Sequence, residues 1–326
     1  MPPHPRRFSA RSVEAVRIRT ILTPPGNFSE FIRDIAQGLT QLYGPAAGDA
    51  YRRIAPKAVE ATMRSPEVRT YCAEVDAEAV GIAMALCQND RGRIPFVHVL
   101  KRFWGTGVED RLIREAVEPL RRGGVSAIAS ECIPFCDLDL RKTFEDLGFQ
   151  VFPRQLMSAD TQLLANIGTG VSRSAPCGPL DLRGAAETIA AAYENHPERE
   201  LHPEVQDAPS AEDYIRSTLQ GAYGACHPEY VRVLRGYGRI LGVIVGCEVA
   251  PGAGFVLQVA VHPDAQKHGL GSVLIQDLAT CYFKAGMRKT GLGVTVSNPA
   301  RNLYLRLGFE PLRDVDAFVW IRPCQA

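Results

Sequence analysis

Two stretches of the chain carry residue types at spacings suited to chemistry. In the first, Val259-Ala260-Val261 leads through a polar turn into Gln266-Lys267-His268-Gly269-Leu270-Gly271-Ser272, after which apolar residues recur at helical spacing. Glycines two apart at the end of a strand let the backbone turn tightly and approach a ligand. The unbonded N–H groups and the dipole at the start of the next helix favour an anion. The pattern predicts a cradle for a phosphate or diphosphate. It is not the G-x-G-x-x-G of a dinucleotide fold, since Leu274 stands where the third glycine would, and it lacks the Gly-Lys-Ser/Thr of a P-loop. In the second stretch, Asn298-Pro299 opens a short helical segment that carries Tyr304 and ends at Gly308-Phe309. Asparagine suits an N-cap, proline the first helical position and glycine a left-handed C-terminal residue. The Asn298 oxygen is expected to cap the helix while its NH₂ stays free. Tyr304 lies about two turns from the helix start.

Strands and helices must hold these stretches in place, and the apolar periodicity supplies them. A strand over 15–22 is expected, then amphipathic helices over 29–42 and 49–63, and strands over 68–75, 80–87 and 94–100. A helix with Val108, Leu112, Ala116 and Leu120 on one face follows, then a strand at 125–129, a short helix ending near Gly148 and a strand over 149–157. After a Gly-, Ser-, Ala- and Pro-rich stretch the order begins again, with helices over 183–193 and 211–222 and strands over 230–234, 240–249 and 255–261. It closes with a helix over 271–284, a strand over 291–296, a helix over 299–307 and a strand near 315–321. A shift of 162 carries Val97, Val99, Gly107, Leu112 and Ile113 onto Val259, Val261, Gly269, Leu274 and Ile275. A shift of 160 carries Leu147-Gly148-Phe149 onto Leu307-Gly308-Phe309, so one α/β unit is duplicated. The expected domains are 1–162 and 180–326, joined by a linker over 163–179.

Composition narrows the function classes. The 326 residues, 46% hydrophobic and 22% charged, suit two globular domains. With 37 Lys and Arg against 36 Asp and Glu there is no global field to gather nucleic acid or an anionic membrane, so neither partner is expected. No apolar run approaches the ~20 residues that span a bilayer, and the first residues lack an apolar signal region, so a cytoplasmic protein is expected. Nine scattered cysteines suit reduced core thiols, and the four-residue spacing of Cys132 and Cys136, with no second pair, is poor for zinc. No metal is expected. The cluster His196-Pro-Glu198-Arg-Glu-Leu-His202-Pro-Glu204 has the composition of a solvated loop, and Arg121-Arg122 that of a solvated helix face. His262 and His268 are expected in a solvated turn.

Taken together, Gln266-Lys267-His268-Gly269-Leu270-Gly271 and Asn298-Pro-Ala-Arg-Asn-Leu-Tyr304 with Leu-Gly-Phe309 resemble the two coenzyme motifs of the GNAT superfamily of acyl-CoA-dependent N-acetyltransferases. The resemblance covers about 150 residues of the C-terminal half, with a weaker version before it, and is similar to tandem-GNAT architecture. It implies an α/β (α+β) fold of two GNAT-like domains, each a mixed, mostly antiparallel sheet flanked by helices. It implies acetyl-CoA as co-substrate, a small-molecule or peptide amine as acceptor, and direct transfer in a ternary complex by a monomer or homodimer. The backbone of Val259, Ala260 and Val261 would pair with the pantetheine arm, and Gln266, Lys267, His268, Gly269, Leu270, Gly271 and Ser272 would hold the diphosphate. Asn298 would bond the coenzyme arm, and Tyr304 would protonate the leaving thiolate. The family's usual glutamate base falls at Phe255, so Glu248, or Glu194 and His196, or a water relay, must take the proton. The catalytic residues expected are therefore Tyr304 and Glu248.

In the N-terminal copy the register set by Val97 and Leu112 puts Trp104 at Gln266 and Glu109 at Gly271, while Phe144 stands at Tyr304. A rival register over Arg102 to Gly107 keeps the glycine pattern but displaces the apolar helix face. A mainly structural first copy is expected. A second reading, a non-catalytic acyl-CoA-binding or regulatory protein, draws on Phe255 and on this decayed copy.

Overall fold

The strand-turn-helix that suits an anion occurs twice, and the backbone fixes its register. Helices α3 (Val108–Arg122) and α8 (Leu270–Lys284) each have 15 residues and each start at a left-handed glycine, Gly107 at φ 84° and Gly269 at φ 77°. Two residues earlier Gly105 (φ 71°) and Lys267 (φ 64°) are left-handed as well. The shift of 162 therefore holds in three dimensions, and the rival register fails. The computed structural model describes residues 16–88, 90–131, 138–167 and 173–323. Cys132, Cys136 and Cys324, the opening residues and part of the expected linker lie outside the described residues.

The chain forms two compact units, Met1–Phe152 with Asp316–Ala326, and Pro153–Val315. The first contains β1 (Arg17–Ile21), α1 (Phe28–Tyr43), α2 (Pro45–Met63), β2 (Val68–Val75), β3 (Glu78–Gln88), β4 (Arg91–Val99), α3, β5 (Ala127–Ser130) and α4 (Arg141–Asp146). The strand β6 (Gln150–Asp160) then crosses into the second unit, which continues with α5 (Thr161–Ile167), β7 (Ala175–Pro176), α6 (Leu182–Tyr193) and α7 (Ala208–Leu219). It goes on through β8 (Val231–Gly236), β9 (Arg239–Ala250), β10 (Ala253–Val261), α8, β11 (Lys289–Thr295) and α9 (Ala300–Arg306) into β12 (Glu310–Ile321). Strands β1 to β4 pair antiparallel in sequence order, and β4 pairs parallel with β5. In the second unit β8, β9 and β10 pair antiparallel and β10 pairs parallel with β11. The closing strands are exchanged: Phe318–Ile321 of β12 pairs with β5, and Arg154–Asp160 of β6 pairs with β11. Both β6 and β12 are longer than the apolar periodicity indicates, because their outer ends alternate polar side chains that carry no strand-specific signal.

The sheet of the second unit is covered on two faces. One face packs α8 and α9 through Leu274, Ile275, Leu278, Tyr282 and Tyr304, and the other packs α6 and α7 through Ala185, Ile189, Ala211, Ile215 and Ala260. Burying a side chain of the Leu or Ile type contributes about 1.5–3 kcal/mol each. The fully buried Tyr282 sits where two glycines leave room. Its hydroxyl donates between the carbonyls of Phe255 (2.9 Å) and Cys247 (3.1 Å), tying β10 to β9. At the start of β7, Asp277 accepts the amides of Arg173 and Ser174 at 3.0 and 2.7 Å, and the buried Arg232 donates to the Ser174 carbonyl at 2.7 Å. In the first unit Arg121 is not on a solvated face: it donates to the Leu147 carbonyl and its guanidinium lies 4.6 Å from the Trp320 ring.

A methyl group on Gly254 would come within 2.4 Å of the Tyr282 ring. Gly254→Ala is therefore expected to overpack the second unit, lowering its stability by about 1–3 kcal/mol in urea or thermal unfolding.

Candidate active site

Strand β10 bulges between Val256 and Gln258 and parts from β11 at the same place, because the parallel register runs only from Ala253–Lys289 to Val256–Leu292. Beyond the bulge only β9 pairs with it among the described residues. The His262 amide bonds to the Leu241 carbonyl at 2.9 Å, so by strand alternation Ala260 directs its backbone to β9, and Val259 and Val261 direct theirs to the open side. Of the three residues expected to pair with an extended ligand, two present backbone groups to it.

The chain then passes through a 3-10 turn at Pro263–Ala265 into the cradle loop. Gln266 reaches back with Nε2 to the Val261 carbonyl at 3.1 Å and fixes the loop against the strand end. Gln266, Lys267, His268 and Gly269 are exposed, and a methyl group on Gly269 would meet nothing within 4 Å. The first bond of α8 runs from the Val273 amide to the Gly269 carbonyl at 3.2 Å, so the amides of Leu270, Gly271 and Ser272 precede the helical ladder. Open space, three converging N–H groups and a helix dipole fit a diphosphate.

The second motif lies beside it. Asn298 Oδ1 accepts the Ala300 amide at 2.9 Å, which is the expected cap, and Gly308 at φ 90° ends α9. Asn298 NH₂ is not free as expected: it donates to Glu198 Oε1 at 2.9 Å and stands 3.5 Å from His196 Nε2. The segment read as a solvated loop is folded into two 3-10 turns, Arg199–Leu201 and Pro203–Val205, and Glu198 is only 5% exposed. Burial alone pushes the Glu198 carboxyl up. The His202 imidazole, 3.8 Å away, and the Asn298 amide outweigh it, and its pKa falls to about 2. On its other side His202 Nδ1 lies 3.5 Å from Glu204. Tyr193, at the end of α6, packs on His196 and His202 with ring centroids 5.0 and 5.8 Å away, and its hydroxyl accepts from Gln258 Nε2 at 3.0 Å.

Tyr304 is buried, its ring edge-on to Phe309 at 5.9 Å. Burial pushes its phenol well above the ordinary tyrosine value, and Tyr193 and Glu198 act in the same direction, so it keeps its proton at neutral pH. Burial lowers the His196 pKa, leaving a neutral imidazole. The structure thus gathers Tyr304, Asn298, His196, Glu198, His202 and Tyr193. Glu248 pairs opposite Gly254, beside the position of Phe255, and its carboxylate accepts the Gly252 amide at 2.7 Å instead of bonding to this group. Glu198 and His202 were missed because carboxylates and imidazoles in a Pro-rich stretch match a solvated loop; the apolar Leu201 and Val205 among them, both fully buried, were the available signal.

The sequence matches the acetyltransferase (GNAT) family over residues 36–149 and 190–309, more than half of its length, and the chain belongs to that family. No curated protein matches it. Among solved structures it is similar to a GCN5-related N-acetyltransferase from Sphaerobacter thermophilus at 18% identity and TM-score 0.65, covering 95% of this chain and 97% of that one. A tandem GNAT protein from the clavulanic acid biosynthesis pathway is similar at 14% identity and TM-score 0.56, over 95% and 100% of the two chains. A glucosamine N-acetyltransferase region of a fungal multi-domain GH3 beta-N-acetylglucosaminidase is similar at 14% identity and TM-score 0.60, covering 94% of this chain and 38% of that one. The likeness establishes a tandem GNAT fold. Among the described residues no group of three His, Cys, Asp or Glu could hold a metal ion, and no helix is long and apolar enough to cross a membrane.

Glu198 has a depressed pKa in the folded state, so its contribution is complete above the ordinary value of 4.5 and is lost as pH falls toward about 2. Stability measured by chemical unfolding is expected to drop across that window in the native chain and to drop less in Glu198→Gln.

Proposed function

We propose that the second unit transfers an acetyl group from acetyl-CoA to the primary amine of a small molecule or peptide by direct attack in a ternary complex. Acetyl-CoA supplies the thioester, and the protein supplies position, polarity and proton transfer. The N–H groups of Leu270, Gly271 and Ser272 hold the diphosphate, with Gln266, Lys267, His268 and Gly269 forming the loop around it. The backbone of Val259 and Val261 binds the extended arm, and an N–H on this edge stabilises the oxyanion as the amine nitrogen bonds to the carbonyl carbon. As the carbon–sulfur bond breaks, the Tyr304 phenol gives its proton to the sulfur. His196, neutral and beside Asn298, takes the proton that the amine loses; Phe255 offers no base, and the Glu248 carboxylate is engaged with the Gly252 amide. Asn298, held by Glu198, aligns the start of the helix that carries Tyr304.

The observation that supports this most is the pairing of an exposed anion cradle with a buried, protonated phenol in one unit. Tyr304→Phe is expected to cut the rate of acetyl-CoA-dependent thiol release in an amine panel by about 10²–10⁴ while coenzyme affinity stays within a few-fold. Absence of turnover in the native chain with every amine, despite coenzyme binding, would favour the non-catalytic acyl-CoA-binding reading instead.

If His196 is the proton acceptor, kcat/KM falls on the acid side below its ordinary pKa of 6.5, with the midpoint displaced downward. His196→Gln should remove this limb, and an unchanged pH profile would assign the proton to another group.

A further inference from the structure

The first unit repeats the cradle in more detail than its sequence suggests. Among the described residues strand β4 also loses its parallel partner early, pairing with β5 only from Arg91–Ala127 to Arg93–Ala129. Trp104 stands where Gln266 stands, and its indole Nε1 donates to the Val99 carbonyl at 2.7 Å, as Gln266 donates to the Val261 carbonyl at 3.1 Å. Gly105 and Gly107 have the same left-handed backbone as Lys267 and Gly269. The first ladder bond of α3, from the Arg111 amide to the Gly107 carbonyl at 3.2 Å, matches that of α8.

One residue breaks the correspondence. Glu109 occupies the position of Gly271, in the first turn of α3, and its Oε1 folds back to accept the Gly105 amide at 2.9 Å. The residue is only 8% exposed, and its Oε2 is buried with no hydrogen-bond partner. A buried carboxylate with an unmet oxygen is unfavourable unless surrounding dipoles support it, and here the loop amide and the N-terminus of α3 do so. An external phosphate would have to displace this group or share the loop with it against like charge.

We propose that the first unit contains an anion cradle of the same build as the second, and that the chain fills it with its own Glu109 carboxylate in place of a phosphate. The protein therefore binds one coenzyme per chain. Only the location of that one coenzyme rests on the proposed function.

Isothermal titration of the full chain with coenzyme A and with inorganic pyrophosphate tests this through the number of sites. The native chain should bind one equivalent of each, and Gly271→Glu, which copies Glu109 into the second cradle, should bind none. Glu109→Gly and Glu109→Ala should each gain one pyrophosphate site. Two equivalents in the native chain, or no gained site in either Glu109 variant with its unfolding transition intact, would overturn the inference. No binding in the native chain would defeat the location proposed for the second unit, while a site gained by Glu109→Gly would still support the plugged cradle. If Glu109→Gly fails to fold, Glu109→Ala and the native count decide.

Discussion

The site depends on β10 being unable to stay paired with β11. The bulge after Val256 turns the strand away from its parallel neighbour, and from there the backbone of Val259 and Val261 faces an opening. Unpaired strand groups away from water are costly, so such an edge is retained where another extended chain can complete it. The left-handed residues Lys267 and Gly269 then bring the start of α8 to the mouth of the same opening. A split strand pair and a helix start, joined by one short loop, place an amide-lined groove and an anion cradle in line.

Around this frame the second unit uses buried charge sparingly. Glu198 is an anion in a site that would otherwise favour its neutral form, and it is kept ionised by the His202 imidazole and the Asn298 amide. Burial chiefly holds the neighbouring Tyr304 phenol above its ordinary value, and Tyr193 and the Glu198 charge add to it. One carboxylate thus orients the cap of α9 and reinforces the protonated state of the tyrosine six residues further along. In the first unit the comparable positions carry Phe144, stacked 4.1 Å from Phe318 in the core, and no phenol is present there.

Much of this was legible in the residues. Gly269 and Gly308 take the left-handed conformations that their places predict and Asn298 Oδ1 takes the Ala300 amide, but the second left-handed residue of the cradle is Lys267 and not Gly271. The duplication was legible because core positions at a fixed shift must fill the same space. What was hidden is what depends on distant partners. The exchange of β6 and β12 leaves no trace in periodicity, since either sheet would accept an alternating strand. Glu248 looked available as a base because only the folded turn shows its carboxylate taken by the Gly252 amide. Glu198 looked solvated because only its partners, 100 residues away for Asn298, make its burial tolerable.

The central claim is that residues 266–272 of the second unit hold the diphosphate and so bring the thioester to Tyr304. A crystal structure of the chain with coenzyme A bound tests it most directly. The diphosphate oxygens are expected about 3 Å from the amides of Leu270, Gly271 and Ser272, with the sulfur against the Tyr304 hydroxyl. A diphosphate seated elsewhere, or a Tyr304 hydroxyl turned into the core and remote from the sulfur, would contradict the account.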